Sequence, residues 1–158
     1  IYEAPLQRGF FFQELRMAAW RIEDHVKRAV TNALPKTVHK QSMTAASMTA
    51  NGIPDHYYDG TERDLWNEFK FWERSLKSSS IVGGVDANKR GYYSPLQYAW
   101  MSRRWAVGRN VIGMIGLPDN RVVIQRTPGE WVHGTDLSTT PTYTAKEAAA
   151  WVINFIGS

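Results

Sequence analysis

The sequence predicts a mainly α protein: an N-terminal helix–turn–helix arm, then a small helical bundle with one minor β-hairpin. Three observations predict it. Apolar side chains return every three or four residues through 10–34, 62–78 and 95–116, the period of a helix with one buried face. Helix starts are written out at Ser94-Pro95, a side-chain cap and a ring suited to the first turn, and at Thr144 with Glu147, a capping box. A β signal appears in one place: Arg121 to Thr127 is β-branched and short, Pro128-Gly129 can turn, and Glu130 to Val132 can return.

Taken in order, residues 1–8 lack a helical period and contain Pro5, which predicts an extended arm. A helix follows from about Phe10 to Leu34, with Phe12, Leu15, Ala19, Ile22, Val26 and Val30 as its stripe and Pro35 as its stop. Within 36–52 the tetrapeptide SMTA occurs twice, at 42–45 and 47–50, among small hydroxylated side chains. It reads either as a linker or as a helix closed by Gly52. The helix reading completes a hairpin across Pro35. Ile53 to Gly60 is a turn-rich connection, in which Asp55, His56 and Asp59 form only a weak metal or acid–base signal. Helix 62–78 places Leu65, Trp66, Phe69, Trp72 and Leu76 on one side, and its charges, Glu68 and Lys70 among them, are explained by pairing along the helix.

From Ser94 to Gly116 the apolar arc holds Trp100, Met101, Trp105, Val111, Ile112 and Ile115. The opposite face is small, with Arg103 and Arg109 at its margins. That face suits either a tightly packed second helix or a phosphate backbone. Arg104 lies inside the arc and requires a partner. The last helix runs from the Thr144 cap to about Ile156. Two units are expected: 1–52, the arm and wrapping hairpin, and 53–158, the bundle with the hairpin near 121–133.

The chain has no cysteine, which excludes disulfides and thiolate metal sites. Seven Trp and seven Tyr suggest broad contacts between elements or subunits. Charge is unevenly placed: +3 over 1–40, −3 over 41–86, +6 over 87–126 and −2 over the remainder. Basic blocks of this kind suit a polyanion. The residues assigned to it are Arg16, Arg21, Lys27, Arg28, Lys36, His39, Lys40, Lys89, Arg90, Arg103 and Arg109.

No phosphate loop, nucleophile elbow, HExxH or GxGxxG is present. No metal or other cofactor is expected. An enzyme would need a site assembled from distant residues, such as His56, Asp59 and His133, and a sequence-specific regulator would need Arg103, Arg109 and Asn110 aimed at bases.

The arm, the helix 10–34, the Pro35 break, the small hydroxyl-rich run and the aromatic helical remainder resemble, in arrangement, the major coat proteins of archaeal filamentous and rod-shaped viruses. The resemblance implies a non-enzymatic virion component that packages double-stranded DNA, in A form, without sequence preference. Its partners would be other copies of itself and a related second coat protein in a helical filament.

Overall fold

The structure, a computed structural model, describes residues 19–43, 52–76 and 80–157. Its centre is a five-stranded mixed sheet, which corrects the mainly α expectation. In chain order the elements are α1 (Glu23–Ala33), β1 (His39–Ser42), β2 (His56–Asp59), β3 (Leu65–Phe71), β4 (Ile81–Val82), α2 (Pro95–Ala106), β5 (Val111–Gly116), β6 (Val122–Gln125), α3 (Pro128–His133), β7 (Thr135–Asp136) and α4 (Ala145–Ile156). The sheet order is β1-β2-β3-β5-β6, and β4 pairs with β7 in a second, two-stranded sheet. Among the described strands of this sheet only β3 and β5 run parallel, from Trp66 opposite Val111 to Phe71 opposite Gly116. The crossover between them contains α2, as a parallel pair requires.

Both faces of the sheet are covered. Val26 and Val30 of α1 and Ala148, Val152 and Ile156 of α4 pack with Leu65, Phe69, Ile112, Met114, Val122 and Ile124. On the other face Met101 of α2 and Trp131 of α3 pack with Val111 and Trp66. A strand covered on both sides reads as an unbroken apolar run rather than an alternation. This is why 111–116, VIGMIG, passed for the end of a helix; all six residues are buried. Helix α2 starts at the expected Ser94 cap but ends at Ala106, where Gly108 takes a φ of 83° and turns the chain into β5.

Other expectations are corrected by the same cause. Segment 62–78 contains strand β3, not a helix, because Leu65, Phe69 and Phe71 alternate onto the α1–α4 face. The i, i+4 step from Leu65 to Phe69 also fits a helical stripe, and the alternation is broken by Trp66 on the second face and Asn67 on the core face. The hairpin near 121–133 is half right: β6 is a strand, but it pairs with β5, and 128–133 forms the short helix α3 behind a Thr127 capping box.

The coat-like helical hairpin is not found either. Its second limb includes β1, which pairs antiparallel with β2, so a ladder joins residues on both sides of position 52. Its first limb is helical only over Glu23–Ala33 among the described residues, with the expected stop at Leu34-Pro35. The extended arm 1–8 and the second SMTA copy lie outside the described residues. Helix α4 does follow its expected capping box at Thr144 and Glu147.

Candidate active site

Alternation along β3 sends Trp66, Glu68 and Lys70 to the face opposite the α1–α4 core. Two of these are ionisable and nearly removed from water: Glu68 is 2% exposed and Lys70 9%. Burying either charge alone is costly, so they are held together, with Lys70 Nζ 2.7 Å from a Glu68 carboxylate oxygen.

The ladder between β2 and β3 stops at His56 opposite Asn67. Beyond it the Asp55 side chain substitutes for a strand partner. Its carboxylate accepts the Phe69 N–H at 3.1 Å, while its own N–H donates to Glu68 Oε2 at 3.1 Å. The strands part here, and the first turns of α1 reach the gap. Lys27 Nζ lies 3.2 Å from Asp55 Oδ1, and Glu23, one turn earlier, lies 3.7 Å from Lys70 Nζ. Gly116 allows this approach, because a Cβ there would overlap the Val26 side chain of α1.

Helix α2 brings a sixth group. Gln97 completes the helix cap: its N–H donates to Ser94 Oγ and its side-chain oxygen accepts from the Ser94 N–H at 2.9 Å. That orients the amide, and its Nε2 donates to Glu68 Oε1. Glu23, Lys70 and Gln97 line a cleft of about 350 Å³ whose rim includes Lys89 and Arg90.

The electrostatics follow from burial. Loss of water pushes the Glu68 carboxyl up to about 8, against the attraction of Lys70. Burial also raises Glu23, with Lys70 opposing. For Lys70 burial acts downward, but Glu68 and Glu23 outweigh it and hold the ammonium above its ordinary value. The site therefore holds a permanent cation beside a carboxyl whose charge is poised near neutral pH.

The sequence-assigned basic residues are scattered. Lys27 enters the site, and Lys89 and Arg90 stand on the cleft rim, paired with Asp86 at 3.2 Å and Glu73 at 3.4 Å. Arg28 is tied to Asp24 at 2.8 Å, His39 to Asp59 at 3.6 Å, and Lys40 donates to the Thr31 carbonyl at 3.5 Å. Arg21 and Lys36 are exposed, Arg103 and Arg109 lie toward and beyond the end of α2, and Arg16 is outside the described residues.

The enzyme site assembled from His56, Asp59 and His133 does not form. His56 is buried on the core face, 3.0 Å from Ser42 Oγ and edge-on to Phe69, with burial lowering its pKa to about 4. Asp59 is exposed at the end of β2, and His133 closes α3. The residues missed were Glu23, Glu68, Lys70 and Gln97. A Glu and a Lys two positions apart, after a Pro-Asp before a strand, was the available signal. It has meaning only once 65–71 is read as a strand.

No family model and no curated protein matches the chain. A solved structure that it resembles is the 1.6 Å structure of Hjc, a Holliday junction resolvase from the archaeal hyperthermophile Archaeoglobus fulgidus. The match has a TM-score of 0.45 and 12% identity, and covers 82% of this chain and 96% of that one. A likeness of that size leaves substrate and chemistry to be argued from the site. The coat resemblance is corrected by the sheet that replaces its helical hairpin, and the virion location, helical filament and coat-protein partners inferred from it fall with it. So does the expectation that the chain is not an enzyme, since the fold gathers from 23, 55, 68, 70 and 97 a buried, charge-tuned cluster that no linear motif announces.

Proposed function

We propose that this chain hydrolyses phosphodiester bonds in nucleic acid with the help of a divalent cation. The observation that carries the reading is the linked cluster of Glu23, Asp55, Glu68 and Lys70, of which Glu23 and Lys70 line a cleft shared with Lys89 and Arg90 while Glu68 and Asp55 lie behind them. Carboxylate oxygens are the donors that Mg²⁺ and Mn²⁺ prefer. The donor set fits such an ion, because ammonium groups already press on it: Lys27 on Asp55 and Lys70 on Glu68. Glu68, held near 8 by burial, gains a reason to ionise when positive charge arrives.

Among the described residues no three carboxylates or imidazoles form a ready-made cage. Asp55 and Glu68 would hold the ion, and Lys27 and Lys70 would give way. A bound divalent ion would supply an activated water and neutralise charge on the phosphate. Lys70, kept protonated by its carboxylate neighbours, acts as a donor to a phosphate oxygen rather than as a base. Glu23, at the cleft wall with a raised pKa, is placed to accept the proton of the attacking water. Gln97 keeps Glu68 in place from α2. Lys89 and Arg90 attract the polyanion, as do the other basic residues the sequence assigned to that role.

The test is cleavage of end-labelled single-stranded, duplex and branched DNA and RNA with MgCl₂, MnCl₂ or EDTA. The panel includes a Holliday junction, the DNA named for the Archaeoglobus protein. Metal-dependent cleavage that disappears in Glu68→Ala supports the reading. A folded wild-type protein that cuts none of these with either metal overturns it.

A further inference from the structure

A second pocket opens at the other end of the same strand face. Four residues from Lys70, about 13 Å along β3, Trp66 packs between Tyr57 of β2, ring centroids 4.8 Å apart, and Trp100 of α2, 5.1 Å apart. Helix α2 lies along this face, since Gln97 donates to Glu68 and Trp100, one turn later, meets Trp66. One further turn on, Arg104 lies 5.2 Å over the Trp100 ring.

Arg104 and Arg109 line a hollow of about 320 Å³ with Tyr57, Trp66, Asp64 and Asn110. Asn110 is fixed there by donating to the Asp64 carbonyl at 3.0 Å, and Asp64 in turn holds the Tyr57 hydroxyl. Among the described residues neither arginine has a carboxylate partner, although Lys27, Lys70, Lys89 and Arg90 all do. Two cations against one carboxylate leave the hollow positive.

We propose that this hollow is a subsite for an unpaired nucleotide of the strand being cut, its base against the Tyr57 and Trp66 rings and its phosphate on Arg104 and Arg109. The inference rests on the nucleic-acid reading of the cleft and narrows the substrate to one with a single-stranded segment next to the scissile bond. A duplex offers no base face to a ring, whereas an unpaired base does. The aromatic pair thus selects for unpaired strands, and the arginines hold the phosphate without reading sequence.

The experiment measures binding of a fluorescein-labelled oligothymidylate of about twelve nucleotides, in EDTA so that nothing is cleaved, against a blunt duplex across a salt series. For the exposed pair Arg104→Ala/Arg109→Ala, affinity for the single strand should fall at least about ten-fold, and the salt slope should shrink by about 0.7, the loss of one neutralised phosphate. Tyr57→Leu, which keeps apolar bulk, should weaken single-strand binding about five- to a hundred-fold with the salt slope unchanged. Circular dichroism verifies that each variant is folded.

Wild-type-like single-strand binding in the folded arginine variant, or equal losses on the duplex, overturns the subsite, as does a wild type that binds no oligothymidylate. The two proposals fail separately. Arginine-dependent binding without any cleavage sinks the catalytic reading and leaves the subsite. Cleavage that needs Glu68, with binding indifferent to Arg104, Arg109 and Tyr57, does the reverse.

Discussion

Trp66 and Lys70 stand on one face of one strand, yet their surroundings differ in kind. Around Lys70 the charges are buried and cancelled within the fold, by Glu68 at 2.7 Å and Glu23 at 3.7 Å. Around Trp66 the cations Arg104 and Arg109 are exposed, outnumber the one carboxylate, Asp64, and form no ion pair among the described residues, and the rings rather than the charges are packed. Withdrawal from water makes the Glu68 end sensitive to proton and cation, because a desolvated carboxyl resists ionising until positive charge joins it. Exposure keeps the other end available, since an arginine already paired in the fold has less to offer a phosphate.

The largest effect expected from this contrast is catalytic. Lys70→Met should lower metal-dependent cleavage about a thousand-fold, measured at saturating labelled oligonucleotide. Retained activity would show that the buried ammonium is structural only. The same substitution should cost about 3 kcal/mol of stability, because Glu68 loses its buried partner. Arg109→Ala, at the exposed end, should change unfolding free energy by less than about 0.5 kcal/mol. Urea titrations that give equal losses would erase the distinction between the two ends.

Stability should also depend on pH in a way the Glu68 end dictates. Glu68 moves from 4.5 to about 8 on folding, so the folded state binds more protons in between and stability falls as pH rises through that window. His56, lowered from 6.5 to about 4, works in the opposite direction below 6.5, because the unfolded state then binds the extra proton. Above 6.5 the Glu68 effect is the larger of the two, and unfolding free energy should drop by about 1 kcal/mol between pH 6.5 and 8. Glu68→Gln should flatten that part of the profile; an unchanged slope assigns it elsewhere.

The smallest effect is on ligand-linked stability. MgCl₂ at about ten times its Kd should raise wild-type stability by about 1.4 kcal/mol at pH 8. Asp55→Asn should show no such rise in thermal denaturation, and an equal gain in both proteins would place the ion away from this cluster.

How much could be read beforehand is clear from particular residues. The starts of α2 and α4 were legible because a cap is made within one turn: Gln97 N–H to Ser94 Oγ, Glu147 N–H to Thr144 Oγ1. Pro35 marked the end of α1 for an equally local reason. Strand β5 was not legible, since burial on both faces removed the alternation that distinguishes a strand from a helix, and β3 was not because Trp66 and Asn67 break its alternation and leave Leu65 and Phe69 at a helical step. The site went with them. Glu68 and Lys70 share a face only in an extended chain, and on a helix they point apart.

By itself, then, the sequence determined the caps and stops, the lack of thiol chemistry and the excess of basic side chains. The tertiary structure alone decided that a central sheet replaces a bundle, that Asp55 fills the gap where β2 and β3 part, and that Glu23 and Gln97 reach Glu68 and Lys70 from separate helices. The physical reason is range. A cap is settled by neighbours three residues away, whereas burying a carboxyl beside an ammonium requires the whole fold to exclude water around them.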